Sequence, residues 1–144
     1  MIALFSAFFP HFLPINFENK LEIVNKKLVT KLPNDFQPFY YGYDIFGDKS
    51  IYGIKLPGHG QGQMGLIFYD DTKGPIFLIS DTCWISKSYK EFTLPSKITK
   101  IVNRDWDKYK LILNKVHNLW RNNSDIIIVP SHCKTTIESL IKNE

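Results

Sequence analysis

Three residues of metal-ligand type each stand just past an apolar run. His59 follows "IYGIKL" in "PGH", Asp81 follows "PIFLI" in "SDTCW", and His132 follows "DIIIV" in "PSH". Imidazole and carboxylate suit zinc, and also iron or manganese. Taken singly, each has an ordinary explanation: a turn histidine, a capping aspartate, a loop histidine. Together they are less ordinary, because strand ends on one edge of a sheet can gather residues that are distant in sequence.

The stretch around His59 carries a second pattern. Gly60-Gln61-Gly62-Gln63-Met64-Gly65 fits G-x-G-x-x-G. A dinucleotide loop needs a helix directly after the glycines, whose amino terminus holds the pyrophosphate. Here Met64 to Tyr69 reads as a strand, followed by the turn "DDTKG". The nucleotide reading therefore fails. Gly58, Gly60 and Gly62, with Pro57, instead predict a shaped loop that presents His59.

The elements that must position these residues can be read along the chain. "FYYGYDIFG" is aromatic and β-branched and predicts a strand, with "GDKS" a turn and "IYGIKL" a second strand. "QMGLIFY" and "PIFLIS" predict a hairpin. The stretch from Asp81 to about Thr99 reads as irregular. "NRDWDKYKLILNKVHNLWRNN" is the strongest helix, with Trp106, Tyr109, Leu113, Val116 and Trp120 on one face. Asn103 or Asp105 can cap its start, and Asn122-Asn123 can end it. "DIIIVP" predicts a short buried strand, and "KTTIESLIKN" a last helix, amphipathic through Ile137, Leu140 and Ile141. Residues 1–36 read as an apolar lead-in of loop and helical turns, near Ile2–Phe9 and Phe17–Val24. The whole of 1–144 reads as one α/β (α+β) unit, with the sheet and helices in 37–144.

Composition fits a chain with a real core: 44% hydrophobic residues, 15% aromatic and 22% charged. The net charge of +4 is spread along the chain, which argues against a nucleic-acid surface. Cys83 and Cys133 make no disulfide framework, so a reducing, cytoplasmic setting is expected. The apolar start "MIALFSAFFPHFLP" lacks a basic n-region and is interrupted by Pro10 and Pro14. It reads as neither a signal peptide nor a membrane span, but as a segment that packs against something.

"LPGHGQGQMGLIF", "FLISDTCW" and "IIIVPSHC", in that order, resemble the carboxy-terminal half of the metallo-β-lactamase fold, over roughly residues 39 to 133. The resemblance implies half of an αββα sandwich: one mixed or antiparallel sheet with helices on one face. It implies a binuclear metal hydrolase, with zinc expected, in which His59 binds one metal, His132 the other, and Asp81 bridges both. Its nucleophile would be a metal-held hydroxide acting on a small-molecule ester, thioester, lactone or amide. Two positions depart from the family pattern: Ser80 where glycine is common, and Gln63 where histidine often recurs.

The larger departure is the missing H-x-H-x-D-H motif, which supplies most ligands in that family. The four histidines are His11, His59, His117 and His132, and His11 and His117 read as packing or boundary residues. A catalytic zinc usually keeps three protein ligands, so the chain alone is expected to hydrolyse poorly. Either the chain is a truncated copy or the remaining ligands come from a separate amino-terminal half, and a lone half would expose an apolar sheet face that invites pairing or self-association. A non-catalytic half-fold, serving as an interaction module or left as a degenerate remnant, is the alternative. Cys83 and Cys133 read chiefly as buried packing residues, and Trp84 and Tyr89 as either packing or the rim of a substrate opening.

Overall fold

The computed structural model describes residues 13–20, 26–96 and 105–141. The apolar start through residue 12 lies outside these, as do Asn103 and the second half of the turn expected at Phe17–Val24. What is described of that turn is a 3-10 turn at Glu18–Lys20.

Six strands form one sheet in sequence order: β1 (Val29–Lys31), β2 (Tyr41–Asp44), β3 (Ile51–Lys55), β4 (Met64–Asp70), β5 (Gly74–Leu78) and β6 (Ile127–Val129). The first five pair antiparallel, and β6 pairs parallel with β5. The sheet is therefore mixed, and the class is α+β. β1 falls inside the expected lead-in. Its three residues show no alternation of their own and gain strand form by pairing with Tyr41–Tyr43.

The helices are α1 (Ser86–Lys90), α2 (Trp106–Asn122) and α3 (Lys134–Ile141). α1 lies in the stretch that reads as irregular, because five residues are too few to display a helical period. The Asp105 carboxylate caps α2 by accepting from the Lys108 backbone N–H at 3.1 Å. Of the α2 face expected from the spacing, Tyr109, Leu113 and Val116 are buried and Trp106 and Trp120 are partly buried against the same cluster, while Ile112 and Leu119 are buried as well.

Cross-strand register sorts the sheet residues by face, because side chains alternate along a strand. Tyr52, Ile67, Phe77 and Ile128 align in one row. They join Ile54, Leu56 and Ile79 and the apolar side of α2 in a single buried cluster. Phe77 is fully buried, edge-on to Phe39 with ring centroids 5.3 Å apart. The other face carries Leu66, Leu78 and Val129 in one row, and Ile51, Phe68, Ile76 and Ile127 in the next. It is equally apolar, yet Leu66 is 38% exposed. A cavity of about 250 Å³ opens on it, lined by Met64, Leu66, Leu78, Val129, Pro130 and Ile137 among others.

α3 forms where expected, but its apolar side is not buried. No residue of α3 is fully covered, and Ile141 is 63% exposed. Both apolar surfaces lie beside the same cavity, which Ile137 borders.

Candidate metal centre

His59, Asp81 and His132 come from three strand-end segments. His59 lies in the β3–β4 loop, Asp81 in a 3-10 turn (Ser80–Thr82) just after β5, and His132 just after β6. The structure brings all three together around the Asp81 carboxylate. His59 Nε2 is 3.9 Å from Asp81 Oδ2, and His132 Nε2 is 3.3 Å from Asp81 Oδ1.

Backbone geometry explains how each is presented. Gly58 has φ +148, and an added Cβ would lie 2.6 Å from the Tyr109 Cα, so the loop is pressed against α2 where no side chain fits. Gly58 also accepts from the Asp105 N–H at 3.2 Å. Gly65 has no room either: its Cβ would meet the Leu78 carbonyl at 2.5 Å. Gly60 and Gly62, by contrast, have open space around them and no positive φ. The loop therefore depends on Gly58, and the expected role of the next two glycines is corrected. A strand, β4, follows them as the sequence required, so no phosphate-binding helix start exists there.

The turn holding Asp81 is entered through Ser80 at φ 48, in the left-handed region that glycine occupies without cost. The Ser80 hydroxyl donates to the Met64 carbonyl, which anchors the turn to β4. Gln63 adds a link from the His59 loop, its side-chain amide donating to the Thr82 hydroxyl at 3.2 Å. On the other side, Ile79 N–H donates to Val129 O and Ser131 N–H to Ser80 O, at 3.0 and 3.3 Å, which joins the ends of β5 and β6.

Does this arrangement suit a metal ion? Asp81 Oδ1 is buried and has no hydrogen-bond partner among the described residues, although the His132 Nε2 lies 3.3 Å away. A buried carboxylate oxygen left unpaired is costly, and a bound ion is one of its standard explanations. Four-coordinate zinc with bonds of about 2.0–2.2 Å sets neighbouring donors roughly 3.3–3.6 Å apart. The His132–Asp81 separation of 3.3 Å falls in that range, and the His59–Asp81 separation of 3.9 Å is longer. The two histidines approach different oxygens of Asp81, so the carboxylate stands between two half-formed positions rather than closing one. Accordingly, among the described residues no group of three or more His, Cys, Asp or Glu is placed to hold an ion. The donor types fit a metal, and their number falls short of a complete site.

The neighbours of the triad separate into roles. Trp84 is 60% exposed and meets the His132 ring edge-on, with centroids 6.1 Å apart. Tyr89 is buried, and its hydroxyl donates to Ile128 O at 3.3 Å, which assigns it to packing. His117 lies 2.7 Å from the Tyr89 carbonyl through Nδ1. A carbonyl only accepts, so Nδ1 carries the proton there. Asp70 is a turn residue, accepting from the Thr72 and Lys73 N–H groups, both at 2.9 Å.

Cys83 and Cys133 are both buried free thiols, as expected. Burial pushes the Cys83 thiol up to about 12. Burial also raises Cys133, but hydrogen bonds from Thr135, Thr136 and Ser86 outweigh it and bring the thiol down to about 6. That cluster of bonds is the feature of the site that residue types alone did not disclose.

Neither a protein-family profile nor a curated protein sequence matches this chain. Solved structures do. An N-acyl homoserine lactone hydrolase with N-hexanoyl-L-homoserine bound at its catalytic metal centre superposes with a TM-score of 0.53 and 14% identity. The match covers 68% of this chain and 36% of that one. A B. thuringiensis enzyme with N-decanoyl-L-homoserine at its active site matches with the same TM-score, identity and coverages. A quorum-quenching N-acyl homoserine lactone lactonase matches with a TM-score of 0.50 and 14% identity, over 62% of this chain and 35% of that one. The likeness establishes the fold: this chain carries part of a metallo-β-lactamase-like fold. It spans about 35% of the length of these neighbours.

Proposed function

We propose that this chain supplies the carboxy-terminal part of a metal-dependent hydrolase, as one partial metallo-β-lactamase-like unit. The observation that carries the reading is the convergence of His59 and His132 on opposite oxygens of Asp81, one of them buried without a hydrogen-bond partner. In the complete site Asp81 would bridge two ions, with His59 on the Oδ2 side and His132 on the Oδ1 side. The remaining ligands would come from an amino-terminal half outside this sequence. When bound, a zinc pair supplies an acidified water as nucleophile and positive charge for the oxyanion. The chain's own contribution is to hold its three donors in place and to put the exposed Trp84 beside His132.

The substrate class is an ester, thioester, lactone or amide. The neighbours act on N-acyl homoserine lactones, which favours a lactone. The apolar second face of the sheet fits a partner that completes the sandwich, either the amino-terminal half or a second copy of this chain. The free thiols suit a cytoplasmic setting. No helix among the described residues is long and apolar enough to cross a membrane.

One observation favours a second reading. With two donors per ion, the chain alone is expected to be inactive, and the exposed sheet face alone would serve a non-catalytic interaction module. The deciding experiment joins the chain to a segment carrying H-x-H-x-D-H and assays metal content and lactone hydrolysis. Metal uptake and activity that vanish in Asp81→Asn support the enzyme. Pairing without either result supports the interaction module.

A further inference from the structure

Cys133 follows His132 directly and is only 2% exposed. Its sulfur accepts from the Ser86 backbone N–H at 3.3 Å and from the Thr136 hydroxyl at 3.1 Å. Ser86 Oγ and Thr135 Oγ1 also lie within reach of the sulfur, at 3.5 and 3.4 Å. Ser86 opens α1, downstream of Asp81 and Trp84 on the same segment. Thr136 lies in the first turn of α3. One side chain thus meets the segment leaving Asp81, its own His132 loop and the start of α3.

The backbone ties between these segments stop short of His132. The Ile79–Val129 and Ser131–Ser80 backbone bonds close the strand ends. The His132 imidazole is 64% exposed and is met by Asp81 and the edge of Trp84. An exposed ring on a loop keeps a fixed position only if the backbone under it is fixed, and the bonds to Cys133 are immediately under it. Sulfur suits the task, because its large radius lets it meet several donors at distances beyond 3 Å, where a hydroxyl is shorter in reach.

We propose that Cys133 is a positioning residue for the Asp81–His132 pair, its sulfur clasping the loop that carries His132 to the segment that leaves Asp81. The proposal rests on reading Asp81 and His132 as ligands, and its test can be separated from that reading.

The first arm uses the metal-free chain. Contact between the His132 and Trp84 rings is followed by nuclear Overhauser effects, and protection of the Ser86 amide by hydrogen exchange. Cys133→Ala is expected to lose the ring contact and the amide protection, and Cys133→Ser, whose hydroxyl is shorter in reach, to retain only part of both. Ser86→Pro reaches the same clasp from the other side. It removes the N–H and hydroxyl at once, at a first helical position where proline is tolerated. Ile85 before it is already extended, with φ −134 and ψ 152, as proline requires. Signals of Ile67 and Phe77 report whether the core is intact. Loss of ring contact in Cys133→Ala and Ser86→Pro with unchanged core signals supports the clasp. Retained contact in both overturns it.

The second arm titrates cobalt into the same proteins and reads its visible absorption. A rise in the dissociation constant of roughly 10–100-fold in Cys133→Ala and Ser86→Pro is expected, the usual cost of losing support behind a ligand. If the wild-type chain takes no cobalt while its ring contact still depends on Cys133, the ligand reading falls and the clasp stands.

Discussion

The two faces of the sheet carry the same kind of residue and meet different surroundings. Under α2, Tyr52, Ile67, Phe77 and Ile128 are buried with Leu113, Val116 and Leu119 into one cluster. On the opposite face, Leu66, Phe68, Leu78 and Ile127 are equally apolar but incompletely covered, and the neighbouring side of α3 is open as well. A sheet that faces water on one side normally alternates apolar with polar residues. This sheet is written as though both sides were to be buried. The first face explains why the chain folds, and the second why it is read as part of a larger sandwich.

The largest expected effect lies on the covered face. Phe77→Ala removes a fully buried ring from the centre of the cluster, and urea unfolding should show a loss of about 3–5 kcal/mol. Gly58→Ala attacks the same packing from the loop. The new methyl would meet the Tyr109 backbone at φ +148, so about 1–3 kcal/mol should be lost, and the His59 loop should be displaced. Gly60→Ala, one residue past His59, has open space around it, and its stability change should stay within about 0.5 kcal/mol. A Gly60→Ala loss equal to that of Gly58→Ala would sink the packing account of the loop. The open face should likewise give only a small thermodynamic effect. Leu66→Ser should change monomer stability by less than about 1 kcal/mol, while sedimentation velocity shows reduced self-association. A loss as large as that of Phe77→Ala would mean that the second face is already closed.

The same contrast explains what could be read from sequence. The α2 face was legible because Tyr109, Leu113 and Val116 recur at helical spacing over a long segment. The three candidate ligands were legible because each ends an apolar strand. β1 was not, since Val29–Lys31 is strand only through its pairing with β2. α3 was legible as a helix but not in its exposure, because amphipathic spacing states which side is apolar and not whether anything covers it. The role of Gly58 over Gly60 and Gly62 depends on how closely α2 approaches, which no local pattern encodes. The Gln63–Thr82 and Cys133–Ser86 links were also hidden, because each joins two loops through side chains distant in sequence.

The central claim is that Asp81 is a shared ligand in an incomplete metal site. Zinc binding to the chain alone, compared by calorimetry with Asp81→Asn, His59→Ala and His132→Ala, tests it most directly. The account expects weak binding in the wild-type chain, partial loss in each histidine variant and complete loss in Asp81→Asn, because only that change touches both positions. Tight uptake of two zinc ions by the chain alone, or binding unaltered in Asp81→Asn, would contradict it.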